Sequence, residues 1–349
     1  MAEKATITDV ARYANVSRQT VSNVLNSPGL VREETRNRVH EAVKALGYRV
    51  NQAARQMRTG RSRIIATRIE PDRDGINGSV FDRFLHSLTA SAAQAGYRIL
   101  LYTADDERSE FATFDDLIGA YEPDAFVLTN TFHRDGRPSW LGERGVPFVT
   151  FGRPWDGTGG VHGAAHSWVD VDGAAGTAEA TRHLLDTGHR RIGFLGWPAG
   201  SGVGDDRRSG WSRTLAAAGV DPTGLDRATA DGVADGEAAA RDLLDAGHPV
   251  TALVCASDSL ALGALNAVRL MKTGERPDAP PPVVIGFDDT PVAKAVGLSS
   301  VSQPLAEAAA GCVSLLTRLF DSAPSRPPEP AAPPAHLLLQ PSLVVRGSA

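Results

Sequence analysis

The chain has 349 residues, 42% apolar and 22% charged, a balance that suits a soluble globular protein of two or three domains with cores that need no disulfide or metal. No apolar run follows the first Met, and none approaches the roughly 20 residues that span a bilayer, so neither a secretory signal nor a membrane partner is expected and the location is expected to be cytoplasmic. The net charge of −5 is unevenly divided: residues 1–63 hold 12 Lys/Arg against 5 Asp/Glu, and the remainder holds 24 against 36. A small basic head on a large acidic body is the distribution a polyanion binder needs, although a solvated basic face would look the same by charge alone. Cys255 and Cys312 both lie in apolar surroundings, with no partner at metal-ligand spacing, and are expected to be buried reduced thiols.

The head opens with Thr6-Ile7-Thr8-Asp9, in which Thr6 caps a helix and Asp9 completes a capping box. Val10, Ala11 and Ala14 follow at helical spacing until Asn15, a residue that tolerates the left-handed backbone of a tight turn. Ser17 then caps a second helix over 18–25, with Val21, Val24 and Leu25 on its inner side, and Pro28-Gly29 ends that unit. A third helix is predicted over 32–46 from the stripe Val39, Ala42, Val43 and Leu46, with Gly47 as its stop. Two short helices joined by a tight turn and braced by a third form a helix-turn-helix, whose second helix lies in the major groove. Arg18, Gln19, Thr20, Ser22 and Asn23 are the residues able to reach base edges, Arg toward guanine and Gln or Asn toward adenine. Thr6, Ser17, Asn26 and Thr35 are short polar groups near helix starts, suited to phosphate contacts. Any one of these positions equally suits a surface or capping role; the set at this spacing is far more specific.

The run Thr6-Ile7-Thr8-Asp9-Val10-Ala11 and the run Val16-Ser17-Arg18-Gln19-Thr20-Val21-Ser22-Asn23-Val24-Leu25-Asn26 resemble the N-terminal signature of the lac repressor and gal repressor family of bacterial transcription regulators. Residues 51–60 are helix-favouring but too short to be stable alone in water. They are similar to the family's hinge helix, which folds on operator DNA beside its dimer mate and inserts an apolar side chain in the minor groove. The resemblance puts Met57 at the inserting position, where the family usually has Leu, and turns Asn51 and Arg55 toward phosphates; ordinary packing within the linker is the other role open to Met57.

Beyond residue 63, apolar runs at 64–69, 99–102, 125–128, 148–151, 168–171, 192–195, 253–255 and 283–287 alternate with helical stretches such as 80–95, 174–186, 234–246 and 259–272. That alternation implies parallel sheets with helices on both faces, in two lobes because the region exceeds the usual size of one domain. Ligands of such sheets bind beyond the carboxyl ends of the strands, which makes the space between the lobes a closable cleft. The resemblance covers nearly the whole chain. It implies an all-α helix-turn-helix head (1–50), a hinge (51–60) and an α/β periplasmic-binding-protein-like sensor (61–349). The expected first lobe takes 61–168 and 303–321 and the second 170–301 and 336–346. The chain is expected to cross between lobes near 167–170, near 300–303 and after Asp321, with a last strand over 337–345 behind a stretch rich in Pro and Ala. No leucine heptad follows Arg346, so the expected assembly is a homodimer without a tetramer-forming tail.

The resemblance also points to the effector site: Arg207, whose fork can bind adjacent hydroxyls or a carboxylate; Asp288, just past a strand; Ser257, where many family members carry Asn; and Arg153 on the other lobe. Each of these also suits a structural ion pair or a cap. Of the five Trp, Trp155, Trp168, Trp197 and Trp211 fall near the expected cleft, and an aromatic plate beside Arg and Asp is the environment a sugar ring seeks. Trp155 and Trp168 are taken as effector contacts; packing between lobes is the other role for Trp211 and Trp168. The runs Phe151-Gly152-Arg153-Pro154-Trp155 and Ser167-Trp168-Val169-Asp170-Val171-Asp172 are similar to actinobacterial regulators of oligosaccharide use. No nucleophile elbow, phosphate loop or metalloprotease helix is present, and Gly200-Ser201-Gly202-Val203-Gly204 reads as a flexible cleft loop. His183 and His189 have no third ligand and suit surface or cap roles. No catalysis and no cofactor are expected. The expected protein binds double-stranded operator DNA and is released by a carbohydrate effector. A ligand-enhanced regulator with a non-sugar corepressor, or a sugar-binding protein without a regulatory role, are the alternatives.

Overall fold

The computed structural model describes residues 5–26, 28–49, 56, 60–69, 76, 78–155, 166–246, 250–272, 280–321 and 333–349. They fall into two compact units, Met1–Ser62 and Arg63–Ala349.

In the first unit α1 (Ile7–Tyr13), α2 (Arg18–Asn26) and α3 (Glu33–Ala45) enclose Val10, Ala11, Ala14, Val21, Val24, Val39 and Ala42. The capping box forms as the spacing predicts: Asp9 N donates to Thr6 Oγ1 at 3.3 Å and Thr6 N to Asp9 Oδ2 at 2.9 Å. Asn15 takes a left-handed φ of 51°, which reverses the chain between α1 and α2, and Gly47 at φ 58° follows α3. Helix α3 begins at Glu33 rather than at Arg32, because Arg32 is extended at φ −57°, ψ 144°.

The second unit contains two six-stranded sheets. The first holds β1 (Ile64–Arg68), β2 (Arg98–Tyr102), β3 (Ala125–Leu128), β4 (Phe148–Phe151), β5 (Trp168–Val171) and β11 (His336–Leu339), in the order β11-β5-β4-β3-β1-β2 and all parallel. Its helices are α4 (Gly78–Gln94), α5 (Glu107–Tyr121), α6 (Arg137–Glu143) and α12 (Leu305–Asp321). One apolar cluster, with Phe84, Val169 and Leu316, lies on the side of α4 and α12; another, with Phe114, Phe126 and Leu141, lies on the side of α5 and α6. The second sheet holds β6 (Ile192–Gly196), β7 (Asp226–Ala228), β8 (Ala252–Cys255), β9 (Val283–Phe287), β10 (Ser299–Ser302) and β12 (Ser342–Val344), in the order β12-β10-β9-β8-β6-β7, with only β12 antiparallel. Its helices are α7 (Gly173–Asp186), α8 (Val203–Ala217), α9 (Val233–Asp245), α10 (Asp258–Lys272) and α11 (Pro291–Ala295).

Two boundaries differ from the sequence reading, and one strand escaped it. The first crossing follows Val171, because β5 pairs along its length with β4 and β11 and stays in the first lobe. The strand expected over 337–345 is two strands in different sheets, β11 in the first and β12 in the second, so the third crossing is at Gln340-Pro341, where Pro cannot donate to a ladder. Strand β10 occupies the expected second crossing; it is Ser299-Ser300-Val301-Ser302, which hydropathy cannot reveal. Its hydroxyls are buried but bonded, Ser300 Oγ donating to Asp258 Oδ1 at 2.6 Å and Ser299 Oγ to the Arg346 carbonyl at 3.3 Å.

Candidate functional site: a helix-turn-helix head and an interlobe cleft

On the head, Ser17, Arg18 and Gln19 are exposed, and Thr20, Ser22 and Asn23 half-buried. Thr20 N donates to Ser17 Oγ at 3.0 Å, which starts α2, and Gln19 Nε2 donates to Asn23 Oδ1 at 3.0 Å along one outer face of the helix. That bond aligns two amide side chains on the surface the sequence assigns to base edges. Thr6 is exposed at the start of α1 and Thr35 half-buried in the first turn of α3. The backbone of Asn26 closes α2; Asn51, Arg55 and Met57 lie outside the described residues.

In the sensor, the carboxyl ends of the parallel strands bring charged groups of both lobes together. Arg207, on the second turn of α8, is 6% exposed. Its Nη1 donates to the Ala256 carbonyl at 2.5 Å, its Nη2 lies 3.7 Å from Asp288 Oδ1, and its guanidinium sits 3.7 Å from the Phe287 ring centre and 5.3 Å from that of Trp197. Asp288 follows β9 and also accepts from Gln303 Nε2 at 2.6 Å. Burial pushes the Asp288 carboxyl up to about 7, against the pull of Arg207. Its φ of 112°, followed by 49° at Asp289, is a strained conformation for non-glycine residues. The surroundings hold it there: Asp288 N donates to the Val301 carbonyl at 2.7 Å, Asp289 N to Ser300 Oγ at 2.9 Å, and Arg346 Nη2 to Asp289 Oδ1 at 2.6 Å. Ser257, fully buried after β8, donates to Asp231 Oδ1 at 2.5 Å.

The first lobe meets this cluster at three points. Arg153, after β4, donates from Nε to Asp170 Oδ2 at 2.6 Å and from Nη2 to Asp206 Oδ2 of α8 at 3.0 Å. Burial raises both carboxyls; it also works against the charge on Arg153, but Asp170 and Asp206 outweigh it and the guanidinium pKa rises. Trp155 donates from Nε1 to Thr131 Oγ1 at 3.1 Å and rests its ring on Gly202, where a Cβ would lie 2.4 Å from Trp155 Cγ. Arg83 of α4 donates from Nη1 to the carbonyls of Asp288 and Asp289 at 3.3 and 3.4 Å. The lobes are therefore in direct contact beside Arg207.

The structure brings Arg153, Trp155, Arg207, Ser257 and Asp288 to this junction, but not Trp168. That side chain is fully buried in the first lobe and stacks on His336 at 4.9 Å, since β5 is an interior strand covered on both faces. Trp211 packs inside the second lobe rather than between lobes, stacking on Phe194 and donating to the Ile192 carbonyl at 3.2 Å. Sequence reasoning missed Arg83, Thr131, Asp206, Asp231 and Gln303. Only Asp206, next to Arg207, carried a local signal. The loop at 200–204, expected to be flexible, makes definite contacts, since Gly202 receives the Trp155 ring and Gly204 admits Trp197. Further back, Arg137 and Glu110 are fully buried at the ends of β1–β3, and Arg68 Nη1 donates to the Glu110 carboxylate at 2.7 Å. Arg137 Nη2 donates to the Thr129 and Asn130 carbonyls at 3.0 and 3.2 Å, bracing the loop that carries Thr131. A cavity of about 830 Å³ opens between α7 and α8, with Arg153 and Asp206 in its wall but not Arg207 or Asp288.

Comparison with known proteins agrees with both units. Residues 6–51 match the model of bacterial regulatory proteins of the lacI family, and residues 181–349 that of the periplasmic binding protein-like domain. The HTH-type transcriptional regulator CelR of Thermobifida fusca is 33% identical over 308 residues, covering 86% of this chain and 87% of CelR. A structure described as a transcriptional regulator CelR–cellobiose complex has a TM-score of 0.70 at 29% identity, covering 99% of this chain and 100% of the other. The lac repressor dimer bound to operator, at 22% identity and a TM-score of 0.78 over 99% of both chains, shares the fold. No helix among the described residues is long and apolar enough to cross a membrane. With a helix-turn-helix head, a two-lobed sensor and relatives that match most of its length, the chain belongs to the LacI family of bacterial transcription regulators.

Proposed function

We propose that this regulator is a homodimeric repressor that grips a double-stranded operator through α2 and the hinge segment and lets go when a carbohydrate enters the interlobe cleft. The observation that carries the reading is the meeting of Arg207, Ser257 and Asp288 on one lobe with Arg83, Arg153 and Trp155 on the other, beside one aromatic plate. Hydrogen-bonding groups on two movable bodies give a ligand different contacts in open and closed states, and only that difference can shift DNA affinity. The similar CelR structure holds cellobiose, which makes cellobiose the first effector to try. On the head, Arg18, Gln19, Thr20, Ser22 and Asn23 read bases, while Thr6, Ser17, Asn26, Thr35, Asn51 and Arg55 hold phosphates and Met57 wedges a base step. The protein acts by binding, and no residue is assigned a catalytic step.

The test is fluorescence anisotropy of the full chain on DNA from its own upstream region, at fixed salt, with and without cellobiose and other neutral sugars. Release of DNA by sugar is expected. Tighter binding with ligand would make the protein a ligand-enhanced regulator, and no DNA binding under any condition would leave only a sugar-binding protein.

A further inference from the structure

Behind the cleft, the first lobe commits a fully buried cation to one loop. Arg137, at the start of α6, donates from Nε and Nη2 to the two oxygens of Asp135 at 2.9 and 2.7 Å and from Nη1 to Glu110 Oε2 at 3.3 Å. Its Nη2 also reaches the Thr129 and Asn130 carbonyls at 3.0 and 3.2 Å. Burial works against the charge, but Asp135 and Glu110 outweigh it and the guanidinium pKa rises. Within that clamp, Asn130 and Arg134 stand at φ 52° and 60°, a left-handed backbone rare outside glycine. The same loop is the first lobe's arm toward α8. Thr131 Oγ1 accepts from Trp155 Nε1 and donates to the Arg153 carbonyl, both at 3.1 Å, and it lies against Gly152, where a Cβ would stand 2.2 Å away. Trp155 in turn rests on Gly202 of the second lobe, and His133 Nε2 lies 4.0 Å from Asp205 Oδ2. Glu110 faces the other way: it accepts from Arg68 Nη1 at 2.7 Å and from the Tyr102 hydroxyl at 2.9 Å, which ties Arg137 to β1 and β2 rather than to the loop.

We infer that Arg137 is a positioning residue for the interlobe site: its fork fixes the 129–135 loop, the loop fixes Thr131, and Thr131 seats Trp155 against the second lobe. This rests on the effector reading above and deepens it, since it assigns the shape of one cleft wall to a residue buried behind it. Gripping a carboxylate and two carbonyls at once needs N–H groups spread in one plane; a Lys ammonium keeps the charge and loses that spread. The buried pair is then kept for the geometry it imposes rather than for net stability.

Amide hydrogen exchange of the full chain without ligand tests this, beside calorimetric titration with cellobiose and other neutral sugars, in Arg137→Lys, Thr131→Val and Glu110→Gln. Arg137→Lys and Thr131→Val should speed exchange at residues 200–206, in the other lobe, by at least about fivefold, the worth of one ordinary hydrogen bond, and weaken sugar binding by a similar factor. Glu110→Gln should lower the urea midpoint of unfolding and leave exchange at 200–206 like the parent's. Should Arg137→Lys fail to fold, Asp135→Asn, which loosens the same fork and keeps the shape of the side chain, takes its place. Equal exchange at 200–206 in the Arg137 (or Asp135) and Glu110 variants, or a Thr131→Val chain that exchanges there like the parent, overturns the inference and leaves the sugar reading standing. If no sugar binds the parent chain, the effector reading fails, and exchange at 200–206 still decides whether Arg137 positions the lobe contact.

Discussion

Trp155 of the first lobe lies on the bare backbone of Gly202 in the second: a Cβ there would stand 2.4, 2.5 and 2.7 Å from three indole atoms. This contact between the lobes requires that position 202 carry no side chain. Gly202→Ala should force them apart, at a cost of about 1–3 kcal/mol to the closed arrangement. Sugar affinity should fall roughly 5- to 150-fold by titration calorimetry, at that energy. The double variant Gly202→Ala/Trp155→Ala should recover part of it, since the clashing ring is gone; a single variant as tight as the parent would rule out the contact.

Arg153 holds two carboxylates that burial has already raised, Asp170 at 2.6 Å and Asp206 at 3.0 Å. Arg153→Met leaves both without a cation and should cost about 3–5 kcal/mol in urea unfolding. A raised carboxyl is stabilising while protonated and loses that contribution as the pH climbs through its folded pKa. The deficit of the variant should therefore be larger at pH 8 than at pH 5, and equal losses at the two values would contradict the pairing.

Asp288 gives a second pH signature. Its folded pKa of about 7 stands above the ordinary 3.8, so its contribution to stability is full below pH 4 and is lost as pH rises toward and past 7. The parent chain should lose up to about 4 kcal/mol more than Asp288→Asn between pH 4 and pH 8, a figure set by the size of that shift. Parallel stability curves for the two proteins would disprove it.

Arg83 joins α4 to the strained Asp288-Asp289 turn through two carbonyl oxygens at 3.3 and 3.4 Å. Arg83→Ala removes those bonds without leaving a buried charge unpaired, and should weaken sugar binding about fivefold, the worth of one ordinary hydrogen bond. Because the contact spans the lobes, the sugar concentration needed to release DNA should rise in step. Anisotropy titrations at several sugar concentrations would reveal a variant whose DNA release is unaltered, the result that refutes this role.

On the head, Arg18 stands exposed at the first turn of α2. Arg18→Ala should weaken operator binding by about 1–3 kcal/mol and leave random DNA of the same length nearly unaffected, because a base contact discriminates and a phosphate contact does not. Equal losses on both DNAs would move Arg18 from the reading face to the backbone face.

The head was legible almost in full. Its signals are local: a cap and its partner three residues apart, a left-handed Asn15, a stripe at helical spacing. The strand–helix alternation of the sensor was legible for the same reason, since apolar runs mark strands buried on both faces. Strand β10 escaped because its buried hydroxyls are satisfied by Asp258 and Arg346, residues 42 and 47 positions away from Ser300 and Ser299.

By itself, the sequence determined the family, the three helices of the head and the strand ends beside which the resemblance puts Arg153 and Asp288, because helix caps and apolar runs are written in neighbouring residues. Only the tertiary structure decided what those charges face. It put Trp168 inside the first lobe, paired Arg153 with an acid from the other lobe, brought Asp231 beside Ser257 and seated Trp155 on Gly202. The last of these and the Arg153 pairing depend on the angle at which the lobes close, and the other two on packing within one lobe; all four join residues far apart in the chain, and no local pattern encodes them.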